Sequence, residues 1–322
     1  MKKEKNILFG IDDSDFSRQA LLKAGELLKK NKDFKMVLFY GVPEPDATLC
    51  SELTGQDSSA IEKQKECWNL EGQKVLEKAK GELIKTGYDP DRISTIFERK
   101  CNYPADSMLQ LVDSEEIDTI ALGRWGKSSV SRQIIGSVTY RLAQLANNQA
   151  VWIIDPRICS YNVMLGIVGA PISQRVVDYT VRYFGHLRQS KFTLFHVIPP
   201  FSPQDLASGA MIDIEANEDQ QKIFWNKIVS HFKEYSDKVK EVAGDAREKL
   251  IKAGVPEQNV VIKIQPQKRG IARDMLQELE EGNHGILVIG RTGFKGIKES
   301  GMGSKANKLL IKAKVFNICL VN

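Results

Sequence analysis

Two sets of residues in this 322-residue chain have the types and spacing to do chemistry. One is the carboxylate pair Asp12 and Asp13, which follows the apolar run ILFGI and leads into a helical pattern. Such a pair could ligate a divalent cation, accept hydrogen bonds from ligand hydroxyls, or cap a helix. The other is a glycine series, Gly123, Gly126 and Gly136-Ser137, which recurs as Gly290, Gly293 and Gly303-Ser304. Written G-x2-G-x9-G-S, it begins where an apolar strand-like run ends and closes where an amphipathic helical pattern opens. Glycines let backbone approach a ligand closely and the amides at a helix start favour anions, so the series suits a phosphate-bearing ligand. A turn with an N-capping serine would explain one occurrence, whereas two with identical spacing point to a shared design.

The elements that must position these residues are themselves repeated. NILFGIDDSDFSRQAL (6–21) is echoed by NVMLGIVGAPISQRVV (162–177), and KMVLFYGVP by KFTLFHVIP, both at an offset of 156. IALGRWG and LVIGRTG, then VWIID and ICLVN, match at an offset of 167, so the second copy carries 11 extra residues, expected around 199–226. Short apolar runs alternate with longer helical patterns, which predicts a parallel sheet with right-handed crossovers in each copy. Five strands are expected per copy: 6–11, 36–42, 93–99, 118–122 and 150–154, then 162–168, 192–198, 259–264, 285–289 and 316–321. The boundary falls in DPRICSY, giving domains 1–156 and 157–322.

Composition narrows the class. With 42% hydrophobic and 27% charged residues the chain reads as globular, and no apolar run nears the roughly 18 residues of a membrane helix. The start, MKKEKNILFG, has no signal-peptide pattern, and five cysteines form no CxxC and no even disulfide framework, so a cytoplasmic location and free thiols are expected. The four histidines show no metal spacing, and a net charge of +5 suits phosphate ligands without arguing for nucleic acid. The basic stretch 294–314 reads as an exposed helix face beside a loop, with phosphate or polyanion binding as the alternative.

Taken together, the repeated motif, ILFGIDDS with its following helix, and GSVT at 136–139 resemble the universal stress protein family, in its tandem form with two such domains in one chain. The resemblance implies a Rossmann-like α/β fold, each domain a five-stranded parallel sheet of order 3-2-1-4-5 with helices on both faces. It further implies ATP or AMP, with or without Mg²⁺, at the crevice between strands 1 and 4. Asp12 would then meet the ribose and adenine end and the Gly41 backbone the base. Gly123, Arg124, Gly126, Lys127, Gly136, Ser137, Val138 and Thr139 would hold ribose and phosphates.

In the second copy Gly290, Arg291, Gly293, Gly303 and Ser304 keep the pattern, with Val197 at the position of Gly41. Val168 replaces Asp12, and Lys305-Ala306 replaces Val138-Thr139, so the second site is expected to be weaker, altered in ligand or vacant. The two last strands, as edges, would pack the domains into an internal pseudo-dimer, and a homodimer is allowed.

Competing readings are weaker. ALGRWGKS matches a loosened Walker A pattern, but Ala121 falls inside the strand and the second copy lacks GK[ST]. A receiver-domain reading of the Asp pair needs a third acid ending strand 3, and the nearest candidate, Asp57, lies in a polar segment. A sensor or adaptor that binds nucleotide without catalysis is the first hypothesis. A slow ATPase or phosphotransferase using Ser137 or Thr139 with Asp13, and an interaction module without nucleotide, remain open. Asp13, Ser14 and Asp15 read as the turn and cap of the first helix.

Overall fold

The computed structural model describes residues 5–42, 58–99, 101, 103–127, 135–169, 171–200, 218–292, 302–313 and 315–322. Gly293, Asp57, most of the 199–226 insertion, and residues 294–301 and 314 of the basic stretch lie outside the described residues. Two compact units result. The first comprises residues 1–159, 299–302 and 314–322, and the second 160–298 and 303–313.

In the first unit β1 (Lys5–Gly10), α1 (Asp15–Leu28), β2 (Phe34–Val42), α2 (Ser58–Lys85) and β3 (Ile93–Arg99) are followed by α3 (Pro104–Ser114), β4 (Ile117–Gly123), α4 (Ser137–Leu145) and β5 (Ala150–Ile154). The five strands pair in parallel in the order β3-β2-β1-β4-β5. Strands in such a sheet are covered on both faces and read as continuous apolar runs. Accordingly every residue of β5 is buried, as is all of β4 except Asp118. The helix α1 starts where Ser14 accepts a hydrogen bond from the Ser17 amide, and Asp15 lies in its positive first turn. Its buried stripe, Ala20, Leu21, Ala24, Leu27 and Leu28, has the period of one helix face.

The C-terminal strand β10 (Asn317–Val321) also belongs to this unit. It runs antiparallel to β5, with Ile318 opposite Ile153, Cys319 opposite Trp152 and Leu320 opposite Val151. Side-chain hydrogen bonds fix its ends. Asn317 Oδ1 accepts from the Asp155 amide at 2.8 Å, and Asn322 Nδ2 donates to the carbonyls of Ala146 (3.0 Å) and Gln149 (2.6 Å). Sequence reasoning assigns this strand to the second domain as its fifth. Both strands are apolar on both faces, so each needs a partner along its edge, and here β5 and β10 supply one another.

The second unit repeats the pattern through β6 (Val163–Gly166), α5 (Ile172–Phe184), β7 (Phe192–Ile198), α6 (Glu218–Lys252), β8 (Val260–Pro266), α7 (Ile271–Glu281), β9 (Ile286–Gly290) and α8 (Ser304–Lys312). Its strands pair in parallel as β8-β7-β6-β9.

One buried histidine in this unit carries a pH prediction. His284, just before β9, is 2% exposed, with its Nε2 3.8 Å from Glu278 Oε1. Burial lowers its pKa from 6.5 to about 4. The Glu278 carboxylate opposes that shift, while Lys191 and Lys263 add to it. A depressed histidine pKa means the fold holds the neutral ring. Its contribution is complete above about pH 6.5 and is lost as the pH falls toward 4, a swing of about 2–3 kcal/mol. Urea unfolding at pH 7 and pH 4.5 should therefore show a smaller acid loss in His284→Asn than in the wild-type chain. Equal losses would contradict this.

Candidate functional site

The first unit holds a cleft of about 110 Å³ at the carboxyl ends of β1, β2 and β4. This is the topological switch point of the order 3-2-1-4-5, where open α/β sheets leave a crevice. Gly10, Ile11, Asp12 and Ser17 come from the β1–α1 segment, and Phe39 and Gly41 from β2. Pro104 and Met108 come from α3, and Leu122, Gly123, Trp125 and Gly126 from the end of β4. Gly136, Ser137, Val138 and Thr139 open α4.

Asp12 and the glycine loop meet directly. Asp12 Oδ1 accepts from the Ser14 amide at 3.1 Å and from Ser14 Oγ at 2.7 Å, while Oδ2 accepts from the backbone amide of Lys127. A Cβ on Gly126 would fall 2.2 Å from Asp12 Oδ2, so a side chain there would displace this carboxylate. Asp13 has a different job. At φ 61° it takes the left-handed conformation that Asp tolerates, and its side chain lies near Arg18 at 4.0 Å. The apparent carboxylate pair is thus divided between a site and a turn.

A hydrogen bond from the Gly136 amide to the Arg124 carbonyl, 3.0 Å, closes the loop of the motif. In the second unit the Gly303 amide does the same to the Arg291 carbonyl at 2.9 Å. The shared x9 spacing lies within the stretch that these hydrogen bonds close. No side chain caps α4, so its first amides are left for another acceptor, and Ser137 is exposed beside them. Thr139 is buried and its Oγ1 donates to the Gly123 carbonyl at 3.0 Å, which ties α4 to β4 and commits this hydroxyl.

The structure brings Asp12, Gly41, Gly123, Gly126, Gly136, Ser137, Val138 and Thr139 together around the cleft. Two other residues singled out in the sequence stand apart from its lining. Lys127 is exposed and contributes its amide to Asp12, while the Arg124 side chain is buried beside Trp125. Burial lowers the Arg124 pKa, with Asp155 opposing. Sequence reasoning missed Ser17, Phe39, Met108, Trp125 and Cys101. The last packs under Gly41, where an added Cβ would lie 2.4 Å from its Sγ. Burial raises the Cys101 thiol pKa, against a hydrogen bond to Ser107. Trp125 had a legible signal, an aromatic residue inside a glycine loop.

The second unit departs at the corresponding positions. Val168 brings no carboxylate, and its amide donates to Ser173 Oγ at 2.8 Å. A Cβ on Gly290 would meet Ile172 Cγ1 at 2.4 Å, whereas the nearest atom at Gly123 is a carbonyl at 3.2 Å. Val197 is buried in β7 where β2 has Gly41, and Arg291 is buried as Arg124 is. Gly303 and Ser304 open α8, which also lacks a side-chain cap. His196, on β7, lies between the Ile167 carbonyl (2.6 Å from Nδ1) and the Tyr235 hydroxyl (3.2 Å from Nε2), and burial lowers its pKa.

A parallel α/β unit with its crevice at the switch point, walled by glycines and an uncapped helix start, is the class of domain that the first unit's fold and cleft define. Residues 4–154 match the Universal stress protein family. The Universal stress protein YxiE of Bacillus subtilis (strain 168) is 29% identical over 143 residues, covering 44% of this chain and 92% of its own. A universal stress protein structure from Archaeoglobus fulgidus DSM 4304 matches 98% of both chains at a TM-score of 0.62 with 14% identity. A functionally unknown protein from Pseudomonas aeruginosa PAO1 covers 99% of this chain and 93% of its own at a TM-score of 0.58 with 12% identity. At such identities the two structures speak for the fold alone. Among the described residues no helix is long and apolar enough to cross a membrane.

Proposed function

We propose that the first unit binds an adenine nucleotide, ATP or AMP, and that the chain acts as a stress-response sensor or adaptor governed by that occupancy. The observation that carries this reading is the convergence of unlike groups on one cleft. Ile11, Phe39, Met108 and Leu122 offer an apolar wall suited to a flat base. The uncapped start of α4 offers amides to anionic oxygens, with the Lys127 ammonium exposed nearby. A carboxylate accepts about four hydrogen bonds, and three of those on Asp12 are used within the chain, which leaves capacity for a ribose hydroxyl. Mg²⁺, if it enters, would arrive on the phosphates.

In this reading catalysis has no assigned base: Thr139 is committed to Gly123 and Asp13 serves the turn. The second site is weaker, because Val168 lacks the acceptor and Ile172 crowds Gly290. Domains spanning 1–156 and 157–322, packed as an internal pseudo-dimer in a cytoplasmic protein, complete the proposal.

Mass spectrometry of nucleotide released from purified protein, with calorimetric titration of ATP and AMP, tests the reading. Asp12→Asn should weaken binding about ten- to a hundredfold, the worth of charge-assisted hydrogen bonds. No released nucleotide and no binding heat at millimolar ATP would leave the interaction-module alternative standing.

A further inference from the structure

Trp125 lies between the first two glycines of the motif and is 4% exposed, yet it is part of the cleft wall. Its ring is held from two sides. Phe16 meets it edge-on at 5.3 Å, and the Arg157 guanidinium sits 4.5 Å from its centroid. Arg157 is in turn fixed by Asp155, which is fully buried and accepts from Arg157 Nε at 2.9 Å and Nη2 at 2.7 Å. Despite this packing, the indole Nε1–H is buried with no acceptor among the described residues. Buried N–H groups are rarely left without an acceptor, because desolvating one without a partner is costly. Packing alone would be served by phenylalanine, which keeps the edge contact and the cation–π contact and carries no orphan donor.

We propose that Trp125 is a ligand-binding residue of the first cleft, donating its indole N–H to a ribose or phosphate oxygen of the bound nucleotide. This rests on the nucleotide reading above and deepens it. The cleft carboxylate Asp12 is anchored to the Lys127 amide two residues along the same loop, so a ligand that engages Asp12 or the loop amides is brought to the segment that carries the indole. The second copy has Thr292 at the corresponding position and therefore no such donor, in keeping with a site that handles a different ligand or none.

Trp125→Phe removes the donor and keeps the ring. ATP, AMP and adenosine are titrated calorimetrically into wild type and variant, and the thermal midpoint of each ligand-free protein is measured. The expected result is ATP affinity weakened at least about fivefold, with a ligand-free midpoint no lower than wild type because an unsatisfied buried donor has been removed. Loss shared by adenosine assigns the ribose as acceptor, and loss confined to ATP and AMP assigns a phosphate. Unchanged affinity overturns the proposal, as does weaker binding accompanied by a lower ligand-free midpoint, which would mean that the ring and not the N–H matters. Should the variant fail to fold, the ¹⁵N-indole spectrum of the wild-type chain decides: the Trp125 signal, assigned through its proximity to Phe16, must shift on adding ATP, and a static signal overturns the proposal. A wild-type chain that binds no ATP defeats the nucleotide reading itself and this inference with it.

Discussion

A chain lacking residues 315–322 is expected to be insoluble or to self-associate. The deletion takes away β10 and leaves every residue of β5, AVWII, with a bare edge. It also removes Phe316, Ile318, Cys319, Leu320 and Val321, all 8% exposed or less. At about 1.5–3 kcal/mol for each large apolar side chain, this burial is of order 8 kcal/mol, which rivals the whole stability of a typical domain, about 5–15 kcal/mol. The Asp155 amide and the Ala146 and Gln149 carbonyls lose their Asn317 and Asn322 partners as well. Size-exclusion chromatography and far-UV circular dichroism of the truncated chain check this. A folded chain with the wild-type elution volume would show that β10 is dispensable to the first unit. A chain ending at Cys159 should behave in the same way, because it too lacks the strand.

That dependence illustrates what one sequence can and cannot disclose. The strands were legible because each is an apolar run bounded by turns and because each recurs at a fixed offset: the expected 93–99, 150–154 and 192–198 coincide with β3, β5 and β7. The cap of α1 was legible too, since Ser14 and Asp15 act through neighbours only a few residues away. Partnership of the two last strands was expected from their place as edges, and β5 does pair with β10. Inside the cleft the limit is distance along the chain. Asp12 could be singled out by its place at the end of β1, but its bond to the Lys127 amide joins residues 115 apart. Met108 reaches the cleft from α3 and Cys101 packs beneath Gly41, and their types alone read as core. Arg124 shows the converse: a basic residue in a glycine loop invites a phosphate contact, and here its side chain packs inward beside Trp125.

The glycines themselves separate a structural reading of the motif from a functional one. Gly126→Ala and Gly136→Ala add the same single methyl group, yet opposite outcomes are expected in the free protein. At Gly126 the new Cβ would lie 2.2 Å from Asp12 Oδ2 and 3.3 Å from Asp12 Cγ, so the carboxylate must leave the Lys127 amide and strain its bonds to Ser14. Losing charge-assisted hydrogen bonds of this kind costs about 1.5–3 kcal/mol, and both the ligand-free stability and nucleotide affinity should fall.

At Gly136 the backbone sits at φ −61° and ψ 144°, which any residue adopts, and the nearest atoms to a Cβ are the Arg124 carbonyl at 3.5 Å and Thr139 Oγ1 at 3.6 Å. Among the described residues nothing requires glycine there. Alanine is the poorer N-cap but has less unfolded-chain entropy to lose, and the two effects, each up to about 1 kcal/mol, oppose one another. Gly136→Ala should therefore leave the thermal midpoint close to wild type while lowering ATP affinity tenfold or more, because its methyl group stands at the mouth of α4 where a phosphate would approach. Paired thermal melts and ATP titrations of the two variants check this. Affinity unchanged in Gly136→Ala would mean that the conserved spacing of the two copies serves loop closure alone, through the Gly136–Arg124 and Gly303–Arg291 hydrogen bonds, and that the helix start meets no ligand.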